Sequence, residues 1–163
     1  DIMQEQFATN DFMLGDRPGR GDFGIYGQFT QLVKWDPTSM AVAAKRAIKT
    51  INWTDRMDDL SWLPVEGDDG WVSLEALPPA THKMLEEIGR TYAPFMVANA
   101  QALMSGADEA VCEIDGQTYR QGPFAYQGKC LKWLRDEYTS LSNTDRTRVD
   151  AALDGTGCEV LFA

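Results

Sequence analysis

Apolar positions recur at intervals of three and four along most of this chain, and one short stretch alternates with period two. That contrast predicts a mainly α protein carrying a single small β-hairpin. Residues 1 to about 10 read as the end of a helix, with Ile2, Gln6 and Phe7 too few to stabilise it alone. A glycine- and proline-rich turn over 15–21 follows. Over 22–34, Phe23, Ile25, Tyr26, Phe29, Leu32 and Val33 give helical spacing with a broad apolar face. Asp36-Pro37-Thr38-Ser39 is a stop and a restart, because proline suits a first helical turn, and the spacing predicts one helix from 38 to about 60. Leu60 to Leu63 ends that region, and 64–70, with its Pro, Gly and Asp residues, reads as a loop.

Pro78 and Pro79 mark the entry to the longest helix, which the spacing carries to about Ser105. Its stripe of Met84, Leu85, Ile88, Tyr92, Phe95, Met96 and Leu103 repeats at three and four, and Pro94 should kink it by removing a hydrogen bond. Near 111–120 the period changes to two around Asp115-Gly116, the strongest short-range hairpin signal. Over 124–141 a helix returns, with Tyr126, Cys130, Leu131, Leu134, Tyr138 and Leu141 expected inward. Ser142 and Asp145 form a capping-box-like start for a last helix to about Leu153, closed by Gly155.

At 163 residues the chain is long enough for one domain with its own core, so 1–163 is read as a single domain. A 44% hydrophobic and 25% charged composition is that of a globular protein, not a disordered tail. No apolar run approaches the length that spans a bilayer, and no secretion signal opens the chain. The first residue is Asp1, not Met, from which a fragment or a processed product is expected. A formal charge of −10 argues against nucleic acid and anionic membrane as partners, since both need a basic footprint. Three scattered cysteines, Cys112, Cys130 and Cys158, argue against a disulfide framework and for a reducing, cytoplasmic setting.

Most candidate chemistry yields to a plainer reading. Gly19-x-Gly21-x-x-Gly24 matches the dinucleotide spacing, but Arg17-Pro18 precedes it where a buried strand is required, and Asp22 would meet the pyrophosphate. The Arg20-Gly21-Asp22 adhesion tripeptide is a coincidence of the same helix entry. His82 is the only histidine and is expected on an exposed first turn of a helix, so no metal site is expected. Asp68-Asp69-Gly70 lacks the spaced oxygens of a calcium loop, and Asp58-Asp59 and Glu86-Glu87 are helix neighbours that do not face each other. Cys130 reads as a packed core thiol and Cys158 as the accessible one, with no CxxC partner for either. Of the five tryptophans, Trp53 and Trp133 are expected in the core.

Three stretches together resemble the C-terminal helical domain of glutathione transferases: Phe12 to Gln28 with its Gly15-Asp16-Arg17-Pro18-Gly19 turn, Trp35-Asp36-Pro37-Thr38, and Trp53-Thr54-Asp55-Arg56-Met57. Residues 1–63 would then be the core helices of that domain. Residues 64–163 would be a helical extension with a hairpin, similar through 122–134 to one found in some bacterial relatives. The resemblance implies a helical bundle in which Gly19 and Asp22 cap a helix, with glycine standing where the family has Ser or Thr. A carboxylate three residues past the cap can accept from backbone N–H groups and complements the helix dipole, which supports a structural role for Asp22.

The resemblance further implies that glutathione is cosubstrate of a parent protein whose thioredoxin-like domain lies upstream, with homodimers common and a small hydrophobic electrophile as substrate. Tyr26 or Trp35 would line the electrophile cleft, no catalytic residue would lie in this chain, and the chain alone would be inactive. Helices absent at the start would leave an apolar face exposed. The same fold also serves as a non-enzymatic interaction module, which is the alternative. A cysteine-dependent redox protein is a third reading and requires Cys158 to titrate below the ~8.5 of a free thiol.

Overall fold

A computed structural model describes residues 1–64, 66–67 and 69–163. The expectations for Val65 and Asp68 in the 64–70 loop therefore lie outside the described residues. The fold is mainly helical with one two-stranded antiparallel sheet, and the chain forms two compact units, Asp1–Thr81 and His82–Ala163.

The first unit holds α1 (Ile2–Thr9), α2 (Arg20–Lys34), α3 (Pro37–Arg46) and α4 (Ile48–Asp58). Trp53 of α4 is its hub: Phe7 of α1 stacks on the indole at 4.4 Å, and Phe29 of α2 meets it edge-on at 6.0 Å. Offset and edge-on geometries of this kind add to the area that the rings bury. Asp36 caps α3 by accepting from the Ser39 N–H at 2.8 Å, with Pro37 at the first helical position.

The single helix expected over 38–60 is broken at Ala47, whose backbone (φ −143°, ψ 45°) is not helical. No glycine or proline marks the break. The backbone N–H of Lys49, unpartnered at the new helix start, is instead met at 2.8 Å by the side chain of Gln4. The broad apolar face of α2 is also only partly used: Val33 is buried, whereas Phe23 and Leu32 are exposed.

The second unit is built around α6 (Ala93–Ser105), which packs on β1 (Ala110–Ile114), on α7 (Ala125–Ser140) and on the Cys158–Leu161 turn. Its core gathers Phe95, Met96, Leu131, Cys158 and Leu161. The long helix expected from Pro79 to Ser105 is α5 (Pro79–Glu87) and α6 joined by one π-helical turn, Ile88–Tyr92. Pro94 has no N–H to donate, and the turn before it widens so that Ala93 bonds to the carbonyl of Ile88. The expected stripe is correspondingly interrupted, leaving Tyr92 and Leu103 exposed.

The hairpin forms as expected. β1 and β2 (Gln117–Gln121) pair with Ile114 opposite Gln117. Asp115 and Gly116 both have positive φ (53° and 71°), the type I′ geometry that Asp-Gly favours. α8 (Asn143–Leu153) starts where Ser142 accepts from the Asp145 N–H at 3.1 Å.

Two expectations for α7 are corrected. Of its expected inward residues Leu131 is fully buried, whereas Tyr126 and Leu134 are exposed. Trp133, expected in the core, is 48% exposed and lies under the Lys129 ammonium, 4.9 Å from the ring. The helix is held at its start: the side chain of buried Asn99 accepts from the Phe124 N–H at 2.7 Å and donates to the Phe124 carbonyl at 3.1 Å. One buried amide thus fixes both polar groups of a single peptide residue.

Two tests follow from these contacts. A methyl at Gly89, inside the π turn, would lie 2.0 Å from the Thr156 carbonyl oxygen, and backbone cannot swing aside as a side chain can. Gly89→Ala should cost about 3 kcal/mol in denaturant unfolding. The Asp36 carboxyl is held below its usual 3.8 by the Ser39 N–H. Its stabilisation is therefore present above pH 3.8 and lost as pH falls through the lower folded value. Thermal melts of wild type and Asp36→Ala should differ near neutrality and converge in acid.

Candidate functional site

The segment between α1 and α2 is held by backbone bonds to a distant stretch of the chain and by buried side chains. Gly15 bridges to Phe12 and to Trp71, while the Asp16 N–H reaches the Gly70 carbonyl and the Val72 N–H reaches the Leu14 carbonyl, both at 2.8 Å. Gly15 needs to be glycine on two counts. Its φ is +131°, and a Cβ there would lie 2.1 Å from the Gly70 carbonyl oxygen.

Asp22, in the first turn of α2, is 1% exposed. One carboxylate oxygen accepts from the Gly19 N–H at 2.9 Å and the other from the Met13 N–H at 2.8 Å. Burial pushes the carboxyl pKa up, and the N–H groups of Gly19 and Met13 oppose that shift. From α1, buried Gln6 donates through one nitrogen to the Met13 carbonyl (3.0 Å) and the Phe12 carbonyl (3.3 Å) and accepts from the Thr81 hydroxyl at 3.0 Å. Both polar groups of the Met13 backbone are thereby taken by buried side chains. Arg56 of α4 pairs with Asp11 at 2.7 Å and lies over the Phe12 ring.

Gly19 and Asp22, expected to cap α2, are thus brought together. Gly19 contributes its carbonyl to the Asp22 N–H (3.0 Å), so one half of the reciprocal box is made by backbone where a Ser would offer a hydroxyl. The bond from Met13 has no helix-entry signature in the sequence. Its only trace is an acidic residue on the helix side that faces a short loop.

Tyr26 and Trp35 are not brought together. They are nine residues apart along α2, two and a half turns, which points them to opposite sides. Tyr26 donates its hydroxyl to Asp58, and that carboxylate raises the phenol pKa. Trp35 is 76% exposed at the helix end. Neither lines the cavities formed by Phe7, Lys49, Asn52, Trp53 and Arg56 or by Asp16, Arg17, Pro64, Glu66, Asp69 and Gly70.

Cys158, expected to be the accessible thiol, is 3% exposed, donates to the Leu85 carbonyl at 3.2 Å, and has its pKa pushed up by burial. The Gly157 backbone (φ +82°), seated against Gly89, carries Cys158 into the core. A thiolate nucleophile there is disfavoured. His82 lies on α5 beside Glu86 at 3.2 Å. Among the described residues no group of His, Cys, Asp and Glu is arranged to hold a metal ion, and no helix is long and apolar enough to cross a membrane.

Comparisons of the chain with protein-family models, with curated proteins and with solved structures return no match.

Two substitutions separate the cap from any chemistry. Asp22→Ala leaves the buried Met13 N–H and the part-buried Gly19 N–H without a partner and should destabilise the first unit by about 2–4 kcal/mol. Gly19 has an extended backbone (φ −105°), and a Cβ there makes ordinary contact with Trp71 at 3.5 Å. Gly19→Ser should therefore fold normally and gain about 0.3 kcal/mol by restoring the hydroxyl of the box. Chemical unfolding monitored by tryptophan fluorescence reads both.

Proposed function

We propose that this chain is the helical part of a glutathione-transferase-like protein, contributing the apolar side of an electrophile site and the surface that meets a thioredoxin-like domain. Glutathione is then the cosubstrate of the whole protein, held by the upstream domain, and a small hydrophobic electrophile is the substrate. The setting is cytoplasmic and the assembly a homodimer.

The observation that carries this reading is the buried Asp22, which meets Gly19 at the entry to α2 within Gly15-Asp16-Arg17-Pro18-Gly19. It acts as a structural cap, as the resemblance requires of it. Further support comes from the exposed apolar side chains of the first unit. Leu32 near the end of α2 and Trp35 just past it, three residues apart, share one side and present a surface that a neighbouring domain would cover. Trp35 is the better candidate of the two expected aromatic residues for touching substrate, because the Tyr26 hydroxyl is already engaged by Asp58.

The second reading is a non-enzymatic interaction module on the same helical scaffold. It is favoured by one specific observation: Tyr26 and Trp35 diverge on α2 rather than framing a cleft.

Sequencing the coding DNA upstream of Asp1 discriminates between them. The enzyme reading expects an in-frame segment of about one domain, with β-α-β then β-β-α order and a proline entering its third strand. It also expects this chain alone to leave glutathione conjugation of chlorodinitrobenzene at the uncatalysed rate, and the chain joined to the upstream segment to accelerate it. An upstream segment of another fold, or conjugation by the isolated chain, contradicts the reading.

A further inference from the structure

Outside the cap and the α2 surface, the second unit holds a groove of about 510 Å³ between α6 and α7. Its floor is apolar, with Leu103 from α6 and Leu131 from α7, and Met104 of α6 stands at its rim. Its edge is basic, with Lys129, Lys132 and Arg135 in succession along α7. Spacings of three set Lys129 and Arg135 about 9 Å apart along α7 and on the two flanks of Lys132, so that their long side chains border the groove from either side. Three cations therefore face one carboxylate, Asp136, in a chain whose formal charge is −10.

The pairing within this cluster is unequal. Lys132 is taken by Asp136 at 2.5 Å. Among the described residues no carboxylate pairs with Lys129 or with Arg135. Both are nonetheless positioned. Lys129 lies over the Trp133 ring at 4.9 Å, and the Arg135 Nε donates to the Leu161 carbonyl at 2.6 Å. Holding a cation in place without neutralising it lowers the entropic cost of meeting an anion. The apolar floor excludes a bare inorganic ion as the natural complement. Met104, 79% exposed at its rim, needs apolar cover that a phosphate or sulfate does not provide.

We propose that the α6–α7 groove binds an amphiphilic anion, an alkyl carboxylate of medium chain length. Its hydrocarbon lies along Leu103, Met104 and Leu131, and its carboxylate sits between Lys129 and Arg135. The cavity volume falls in the range of small-molecule sites. The combination of an apolar wall with a few convergent charges selects against both neutral and cationic amphiphiles. An acidic amphipathic helix of a protein partner would satisfy the same charges, but a groove of this volume suits a small ligand better than a helix of several turns.

Isothermal titration of the whole chain with decanoate, below its micellar concentration, tests the proposal. Saturable binding of one equivalent is expected, with decanol and decyltrimethylammonium binding at least about tenfold more weakly, the loss of one charge-assisted contact. Lys129→Gln should weaken decanoate about tenfold on the same ground. Met104→Glu, at an exposed position that leaves the fold intact by circular dichroism, should abolish it by setting a carboxylate at the mouth. Equal affinity for decanol, unchanged binding in either variant, or capture of an acidic amphipathic peptide with no decanoate bound would each overturn the proposal.

Discussion

A carboxylate removed from water must be fully hydrogen-bonded or it unfolds its surroundings, and Asp22 sets that condition for the first unit. Its two oxygens take the N–H of Gly19 and of Met13. One bond starts α2, and the other fastens the loop that leaves α1. Because both bonds issue from one rigid group, the direction of α2 relative to that loop is determined. The placement of Phe29 against Trp53 follows from that direction. Gly15 then has no freedom: the loop is pinned to Gly70 and Val72 on one side and to Asp22 on the other, and its backbone is left in a conformation that only glycine takes easily.

The same device recurs in the second unit with neutral chemistry. Gln6 and Asp22 together hold both polar groups of Met13, and Asn99 alone holds both polar groups of Phe124. In each case a buried polar side chain on a helix takes a backbone N–H that neither helix nor sheet would satisfy. These residues specify where the chain turns more than they add net stability, since each bond replaces one made to water. The apolar packing around Trp53 and around the Phe95 cluster supplies the burial that makes the turns worth specifying.

What the sequence disclosed divides along that line. Signals local to the backbone were legible: Asp115-Gly116 as a hairpin turn, Ser142 and Asp36 as helix starts, Pro94 as an interruption, and Asp22 as a cap partner of Gly19. Features set by a distant residue were not. The break at Ala47 is met by Gln4, which bonds Lys49 from forty-five residues away, and no breaker announces it. The second partner of Asp22 comes from a loop with no signature of its own. Burial differs from the expectation at Trp133, Tyr126 and Cys158. Trp133 is two residues and Tyr126 five residues from Leu131, so both fall on other sides of α7 and lie toward solvent, and Cys158 is drawn inside by the close approach of Gly157 to Gly89. Of the candidate functional residues, the cap pair was readable because its logic is local, whereas the relation of Tyr26 to Trp35 depended on helix phase across two and a half turns. The α6–α7 groove left no local mark, since its two walls are separated by the hairpin in sequence.

Amide hydrogen exchange at Met13 and Gly19 tests the central claim most directly, because both N–H groups lie outside regular helix and sheet pairing and owe their protection to Asp22. If the carboxylate governs the first unit, both amides exchange only through unfolding of that unit, as slowly as the core amides around Trp53. Exchange at the rate of an open loop, while the Trp53 region stays protected, would contradict the account.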